Sequence, residues 1–235
     1  MTLPLLVAAL AALLLLVAGP GVRLDLWSFR TGFDLLKWAA YLGLAGAALG
    51  VVQLVVPRWR LGHVRGLVLA VVLGLAVAGV PWYWRRLANQ VPPIHDISTD
   101  TADPPAFVAV LPLRAGAANP AEYGGPEIAS QQASAYPDIR TLELPTTPPG
   151  VAFTRARDAV RASGWELVAA DSTDGRVEAT ATTGWFGFKD DVVVRVRPAG
   201  SGSRVDVRSV SRVGKSDVGT NARRIRAFLS RLRAS

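Results

Sequence analysis

Three long apolar runs occupy the first ninety residues of the chain. Residues 1–22, 38–56 and 66–84 contain no charged side chain. Each run is close to the ~20 residues that a helix needs to cross a hydrocarbon layer about 30 Å thick. Backbone polar groups must be satisfied inside a single span, and a helix achieves this. We therefore expect a transmembrane region over residues 1–90, built from three helical spans.

The first run has a second interpretation, a cleavable signal peptide. Residues 1–22 lack a positively charged start, and Pro20 directly follows the small residues where a cleavage site would lie. These two features favour retention of the run as a span. The second run supports close helix packing, because Gly43, Gly46 and Gly50 lie on one side of it. An aromatic belt and two arginines end the third run, at residues 82–86.

A proline-rich stretch, residues 91–150, separates the spans from the regular pattern that follows. Proline interrupts helices and biases the preceding residue toward extended geometry. We therefore predict a mostly irregular segment that wraps the domain after it, with short strands at Phe107–Leu111 and Arg140–Leu144.

Regular periodicity fills residues 151–235. Apolar positions at helical spacing predict a helix of about thirteen residues that ends at Gly164. Alternating residues then predict about four antiparallel strands, and a second amphipathic helix follows at Asp217–Leu232. The predicted strands are residues 165–170, 176–183, 189–197 and 203–212. The expected fold is an α-helical transmembrane region of three spans followed by a soluble α+β domain.

Strand alternation assigns side chains to two faces of the sheet. The buried face is predicted to hold Val192, Val194, Val196, Val205 and Val207. The other face is predicted to meet solvent and to hold Arg195, Arg197, Arg204, Asp206 and Arg208. On the last helix, the apolar stripe includes Val218, Ile225 and Leu229, whereas Arg224 is expected to be solvated.

Charge is distributed unevenly along the chain. The eight basic and two acidic side chains of residues 1–93 account for +6 of the net charge of +8, which leaves +2 for the rest. Residues 94–194 contain seven basic and fourteen acidic side chains, while residues 195–235 contain eleven and two. The acidic half argues against a nucleic-acid partner, because such proteins present a continuous basic surface.

Metal and cofactor chemistry has few candidate residues. The chain contains no cysteine, which excludes disulfides and thiolate ligands, and only two histidines, His63 and His95. We therefore expect no metal site and no cofactor.

Four sequence strings resemble one bacterial family. They are PPIHDISTD at residues 92–100, YPDI at 136–139, GRVEATATTGWFGFKDDVVVRV at 175–196 and SRVDVRSVSRVGKSDVGTNARRI at 203–225. The family is catalogued as domain of unknown function 1499, and the resemblance covers roughly residues 92–232. It implies an envelope protein, in some members with membrane spans ahead of the domain, and it implies no established activity.

Acid–base catalysis would depend on His95 with one of Asp96, Asp190 or Asp191. Asp190 and Asp191 are neighbours on a predicted strand, so they point to opposite faces and do not share a substrate unless a bulge intervenes. A lone histidine is more often a hydrogen-bonded structural group. A membrane-anchored hydrolase is therefore the alternative hypothesis.

Two further places are candidate ligand-binding sites. Trp185 and Phe186 are candidates for an apolar lip that contacts a lipid-like ligand or the membrane surface. The alternative is a hairpin whose aromatic side chains close the core. The start of the last helix is a candidate anion site, because its free N–H groups favour negative charge. Capping by Ser216 or Asp217 is the alternative there. The candidate residues at this second place are Lys215, Ser216, Thr220 and Asn221.

The main hypothesis is a multi-pass protein of the bacterial inner membrane whose soluble domain is a non-catalytic binding or scaffolding module. Its expected partners are the lipid bilayer and an envelope protein or an anionic, lipid-like ligand. The charge count near the spans favours a cytoplasmic domain, whereas the family resemblance favours a periplasmic one, which we adopt. With three spans, one side of the membrane is predicted to hold three positive charges, Arg58, Arg60 and Arg65. The side that holds the domain is predicted to have five, which are Arg23, Arg30, Lys37, Arg85 and Arg86.

Overall fold

A computed structural model describes residues 2–59 and 63–234. Arg60, one of the charges counted above, lies outside the described residues. Two compact units make up the chain. The helical unit contains the N-terminal helices and also the short connection Gly184–Gly187, while the sheet domain consists of Gln90–Thr183 and Phe188–Ser235.

Three helices form the first unit: α1 (Leu3–Arg23), α2 (Phe29–Val55) and α3 (Val64–Ala88). Each is long and apolar enough to cross a membrane. The prediction of three spans in a multi-pass membrane protein is thus supported by length and composition. Many large apolar side chains remain exposed along these helices, as expected where lipid is the solvent.

Small residues let these helices approach closely. Gly43, Gly46 and Gly50 are buried, as their common side of α2 predicted. A Cβ atom added to Gly43 would lie 2.7 Å from the carbonyl oxygen of Gly74 on α3, too close for any side chain. The backbones of α2 and α3 therefore pack in direct contact, which is how helices associate where no hydrophobic effect separates them from lipid.

The sheet domain contains a six-stranded antiparallel sheet in the order β1-β6-β5-β4-β3, with β2 also paired to β6. The strands are β1 (Asp96–Ser98), β2 (Leu142–Leu144), β3 (Glu166–Asp171), β4 (Arg176–Thr182), β5 (Lys189–Ala199) and β6 (Gly202–Ser211). The predicted α+β class is confirmed, but the prediction of about four strands was too low. The two additional strands come from the proline-rich segment and pair with β6.

The proline-rich segment differs from its prediction in two other places. Phe107–Leu111 is not a strand but a turn, followed by the 3₁₀ helix Pro112–Arg114. A helix that the sequence did not predict, α4 (Gly125–Ala135), follows it. Its residues are mostly Ala, Gln and Ser, so no apolar stripe marks it. The strand predicted at Arg140–Leu144 is present as β2.

One face of the sheet holds the main core. Helices α5 (Pro149–Ala162) and α6 (Thr220–Ala234) pack on it, and Ile225 and Leu229 of α6 are buried among the strand valines, as predicted. Val218 is an exception, because it precedes α6 in the left-handed region with φ of 52° and does not belong to this core. The core valines on the strands are Val177, Val192, Val194, Val196, Val205 and Val207.

The other face of the sheet is covered, which contradicts the prediction of a solvent face. Residues 99–123 run across it, and Phe107 and Val110 of this covering segment pack with Val193 and Val210. Beneath it the predicted solvent residues Arg195, Asp206 and Arg208 are buried. Arg197 is exposed and Arg204 half-exposed. The sequence correctly predicted which polar residues share this face, but most of them form buried ion pairs instead of contacting water.

A fragment that begins at Pro92 is expected to be soluble and to unfold cooperatively. The fragment lacks the three long apolar runs, and both faces of its sheet are covered by other residues of the sheet domain. Chemical denaturation followed by circular dichroism measures this. A fragment that shows no cooperative transition, or that partitions into detergent micelles, would contradict the prediction.

Candidate functional site

Asp191 of β5 lies at the centre of a buried polar cluster under the covering segment. Its carboxylate accepts hydrogen bonds from Arg114 Nη1 (2.6 Å), Arg212 Nη2 (2.8 Å) and Thr180 Oγ1 (2.8 Å). Burial raises the pKa of Asp191, but these hydrogen bonds outweigh burial and hold the pKa below its usual range. The carboxylate is therefore an ion-pair partner rather than a proton acceptor at neutral pH.

Asp96 of β1 is paired in the same way. Arg208 donates to both of its carboxylate oxygens, at 2.9 and 2.7 Å, and the guanidinium carbon lies 5.1 Å from the ring centroid of Phe107 and 5.4 Å from that of Tyr123. Burial is the dominant influence and raises the pKa of Asp96 despite Arg208. Burial, with the charge of Asp96, also raises the pKa of Tyr123 to about 12.

Glu178 of β4 anchors the covering segment itself. The side chain is fully buried and accepts the backbone N–H groups of three consecutive residues, Val108, Ala109 and Val110, at 3.0–3.1 Å. Arg176 Nε adds an ion pair at 3.0 Å. A carboxylate that accepts several N–H groups is tightly held, so this contact fixes the backbone of the segment at that point.

Asp190 faces the opposite side of the sheet from Asp191, as strand alternation predicted. It binds Arg224 Nη2 of α6 at 2.5 Å, and both side chains are almost fully buried. The expectation that Arg224 is solvated was wrong. Arg224 also donates to Ser209 Oγ at 3.1 Å and to Asn221 Oδ1, so it connects α6 to the sheet.

His95 does not meet these carboxylates in a common pocket. Its Nδ1 lies 3.4 Å from the carbonyl oxygen of Lys215, while Asp96 faces the covering segment and Asp190 faces α6. Two clefts, of about 540 and 320 Å³, open elsewhere on the sheet domain. The larger cleft is lined by the start of α5, the β3–β4 turn and the far end of β5. The smaller cleft lies between residues 103–108 of the covering segment and the side chains of Arg176, Arg195 and Arg197. Within the described residues, no three His, Asp or Glu side chains are grouped so as to hold a metal ion.

The start of α6 is capped from within the chain. Asp217 accepts the N–H groups of Gly219 (2.8 Å) and Asn221 (2.6 Å), and Ser216 Oγ accepts that of Val218 (3.2 Å). These contacts favour the capping interpretation, because they occupy donors that an anion would need. The candidate residues are dispersed: Asn221 is buried, Lys215 is exposed, and Ser216 and Thr220 are intermediate.

Trp185 and Phe186 belong to the connection Gly184–Gly187, which clusters with the helices rather than with the sheet. The Phe186 ring lies 5.3 Å from that of Phe33, and Phe186 is buried. Trp185 is partly exposed and contacts the Phe186 ring edge-on. These aromatics therefore form part of the packing of the helical unit.

The most extensive polar contacts were not predicted from the sequence. Arg114 and Glu178 were not singled out, although Arg114 is the only charged residue in the run 104–121. A lone charge in an apolar segment needs a buried partner, and that signal points to an ion pair. The sequence does not identify Asp191 as that partner.

These features define a protein with three candidate membrane spans followed by an antiparallel α+β domain whose polar core is made of ion pairs. Residues 96–232 match the family described as Protein of unknown function (DUF1499), and the chain belongs to that family. The resemblance found in the sequence strings is thus confirmed. No curated protein matches the chain.

Proposed function

We propose that the chain is a membrane-anchored, non-catalytic binding or scaffolding module of the bacterial cell envelope. One observation supports this most strongly: each carboxylate that acid–base chemistry would use is already bound to arginine. Asp96 is bound to Arg208, and Asp191 to Arg114 and Arg212. Buried arginine pairs fix these carboxylates in position, so the groups hold a surface in shape rather than reach a substrate.

The alternative function is a hydrolase that uses His95. It predicts turnover of ester, phosphoester or amide substrates that disappears in His95→Ala. Our proposal predicts no turnover that depends on His95. The experiment compares the full chain, His95→Ala and the control Thr173→Ala, an exposed turn position, in lipid vesicles with a panel of chromogenic substrates. Turnover that survives in the control and is lost in His95→Ala would establish the alternative.

We further propose that the spans lie in the inner membrane and that the sheet domain faces the periplasm. Three spans place the two ends of the helical unit on opposite sides of the bilayer. Alkaline phosphatase fused after Arg86 is then expected to be active in bacterial cells, and green fluorescent protein fused at the same place to be dark. The reverse pattern would place the domain in the cytoplasm, as the count of positive charges alone predicts.

A further inference from the structure

The covering segment exposes an apolar surface that its own fold does not require. Val108, Leu111 and Leu113 are 51%, 45% and 53% exposed. Among the described residues of the sheet domain, the only other large hydrophobic side chain this exposed is Val151. Residues 104–121 contain a single charged side chain, Arg114, and it is buried. We call the exposed side chains of Val108, Leu111 and Leu113 the apolar tip.

The apolar tip is held in place by buried contacts. Glu178 fixes the backbone at residues 108–110. Arg114 binds Asp191 on its inner side and donates to the carbonyl oxygens of Asn119 and Pro120, which closes the loop. A segment that merely covers the sheet would place polar side chains outward. Here the single charge points inward and the leucines point outward, which is typical of an interaction surface.

Hydrogen bonds from Arg212 place Leu113 close to the start of β5. Arg212 Nη1 donates to the carbonyl oxygen of Leu113 (2.8 Å), and the Arg212 N–H donates to that of Lys189 at the start of β5 (3.0 Å). Leu113 therefore lies at the end of the sheet that holds the start of β5, whereas Val108 lies farther along β4, over Glu178. Two exposed lysines lie at this end, Lys189 and Lys215.

We propose that the apolar tip inserts into the surface of the lipid bilayer in which the spans are anchored. This rests on the proposed function and identifies one partner of the binding module. Protein interfaces are rich in aromatic residues, Met and Arg, whereas the exposed large side chains of residues 104–121 are all aliphatic, since Phe107 and Arg114 are buried. Aliphatic side chains without exposed charge suit the boundary of headgroups and acyl chains, and Lys189 and Lys215 complement anionic headgroups.

The experiment uses the full chain in liposomes that contain anionic lipid. Because the chain has no cysteine, single cysteines can be introduced and labelled with an environment-sensitive fluorophore. Leu113→Cys and Leu111→Cys report on the tip. Ser201→Cys, in the exposed turn between β5 and β6 at the opposite end of the sheet, is the control. Leu3→Cys, at the exposed first residue of α1, is the reference for contact with the headgroup region.

Lipids with a nitroxide near the headgroup are expected to quench both tip positions to at least about half the extent seen at Leu3→Cys, and to leave Ser201→Cys unquenched. Aqueous iodide is expected to show the opposite order. Iodide quenching at both tip positions would overturn the proposal. Protection from both quenchers would also overturn it, because a protein or a second copy then covers the tip. Neither outcome bears on turnover by His95, so failure here is distinguishable from failure of the proposed function.

Discussion

Replacing Asp191 by alanine is expected to destabilise the sheet domain by about 3–5 kcal/mol, because it leaves two arginines without their buried partner. Asp191 is fully buried, and the side chain of Arg114 is only 4% exposed, so water does not replace the lost carboxylate. Arg114 also links the covering segment to β5, and the segment should therefore loosen. Urea denaturation of the fragment that begins at Pro92 measures the free energy of unfolding.

Asp158→Ala is the matched control, since Asp158 is also paired with arginine but is 55% exposed. Exposed pairs contribute about 0–1 kcal/mol, so its effect should be small. Similar losses in the two variants would show that Asp191 is not buried in solution. Hydrogen exchange offers a second measurement, because amides of residues 108–110 should lose protection in Asp191→Ala and keep it in Asp158→Ala.

The ion pair of Asp191 also predicts a dependence on pH. The folded state holds the pKa of Asp191 below its unfolded value of about 3.9, so its contribution is fully present above that pH and is lost as pH falls through the folded pKa. The stability difference between the wild type and Asp191→Asn is therefore expected to be constant above about pH 5 and to shrink below pH 4. Other carboxylates titrate in both proteins and cancel in this difference. A difference that grows as pH falls would show that folding raises the pKa of Asp191 instead of lowering it.

Periodicity identified the elements whose two faces differ in polarity. The predicted strands 176–183 and 189–197 correspond to β4 and β5, and the helix before Gly164 to α5, because apolar residues on one face leave a clear period. Helix α4 has no such face, and all three residues of β1 are buried, so neither element shows an alternation of apolar and polar positions.

The burial of the second face of the sheet was not predicted for a different reason. Asp206 alternates with Val205 and Val207 in the sequence, and this alternation is identical whether the polar face meets water or meets arginine. The structure supplies the missing fact, since Arg195 lies 3.0 Å from Asp206 beneath the covering segment. Polar alternation predicts which residues share a face, and it does not predict what covers that face.

Arg224→Ala is expected to destabilise the domain by about 3–5 kcal/mol, although the pattern of α6 alone assigned this residue to solvent. Its side chain is 9% exposed and that of its partner Asp190 is 4% exposed, so the change leaves a buried carboxylate unpaired. Arg226 is the control on the same helix. It pairs with Asp138 at 2.6 Å, but the two side chains are 41% and 54% exposed, and Arg226→Ala should cost less than about 1 kcal/mol.

A second substitution separates the unpaired charge from lost packing. Asp190→Asn removes the charge that Arg224→Ala leaves behind, so the double variant is expected to be more stable than the sum of the two single losses predicts. Thermal and urea unfolding of the four proteins complete this cycle, and the free energies are compared at one temperature. Strict additivity would show that the 2.5 Å contact between Arg224 and Asp190 does not stabilise the domain, and that α6 is held by its apolar face alone.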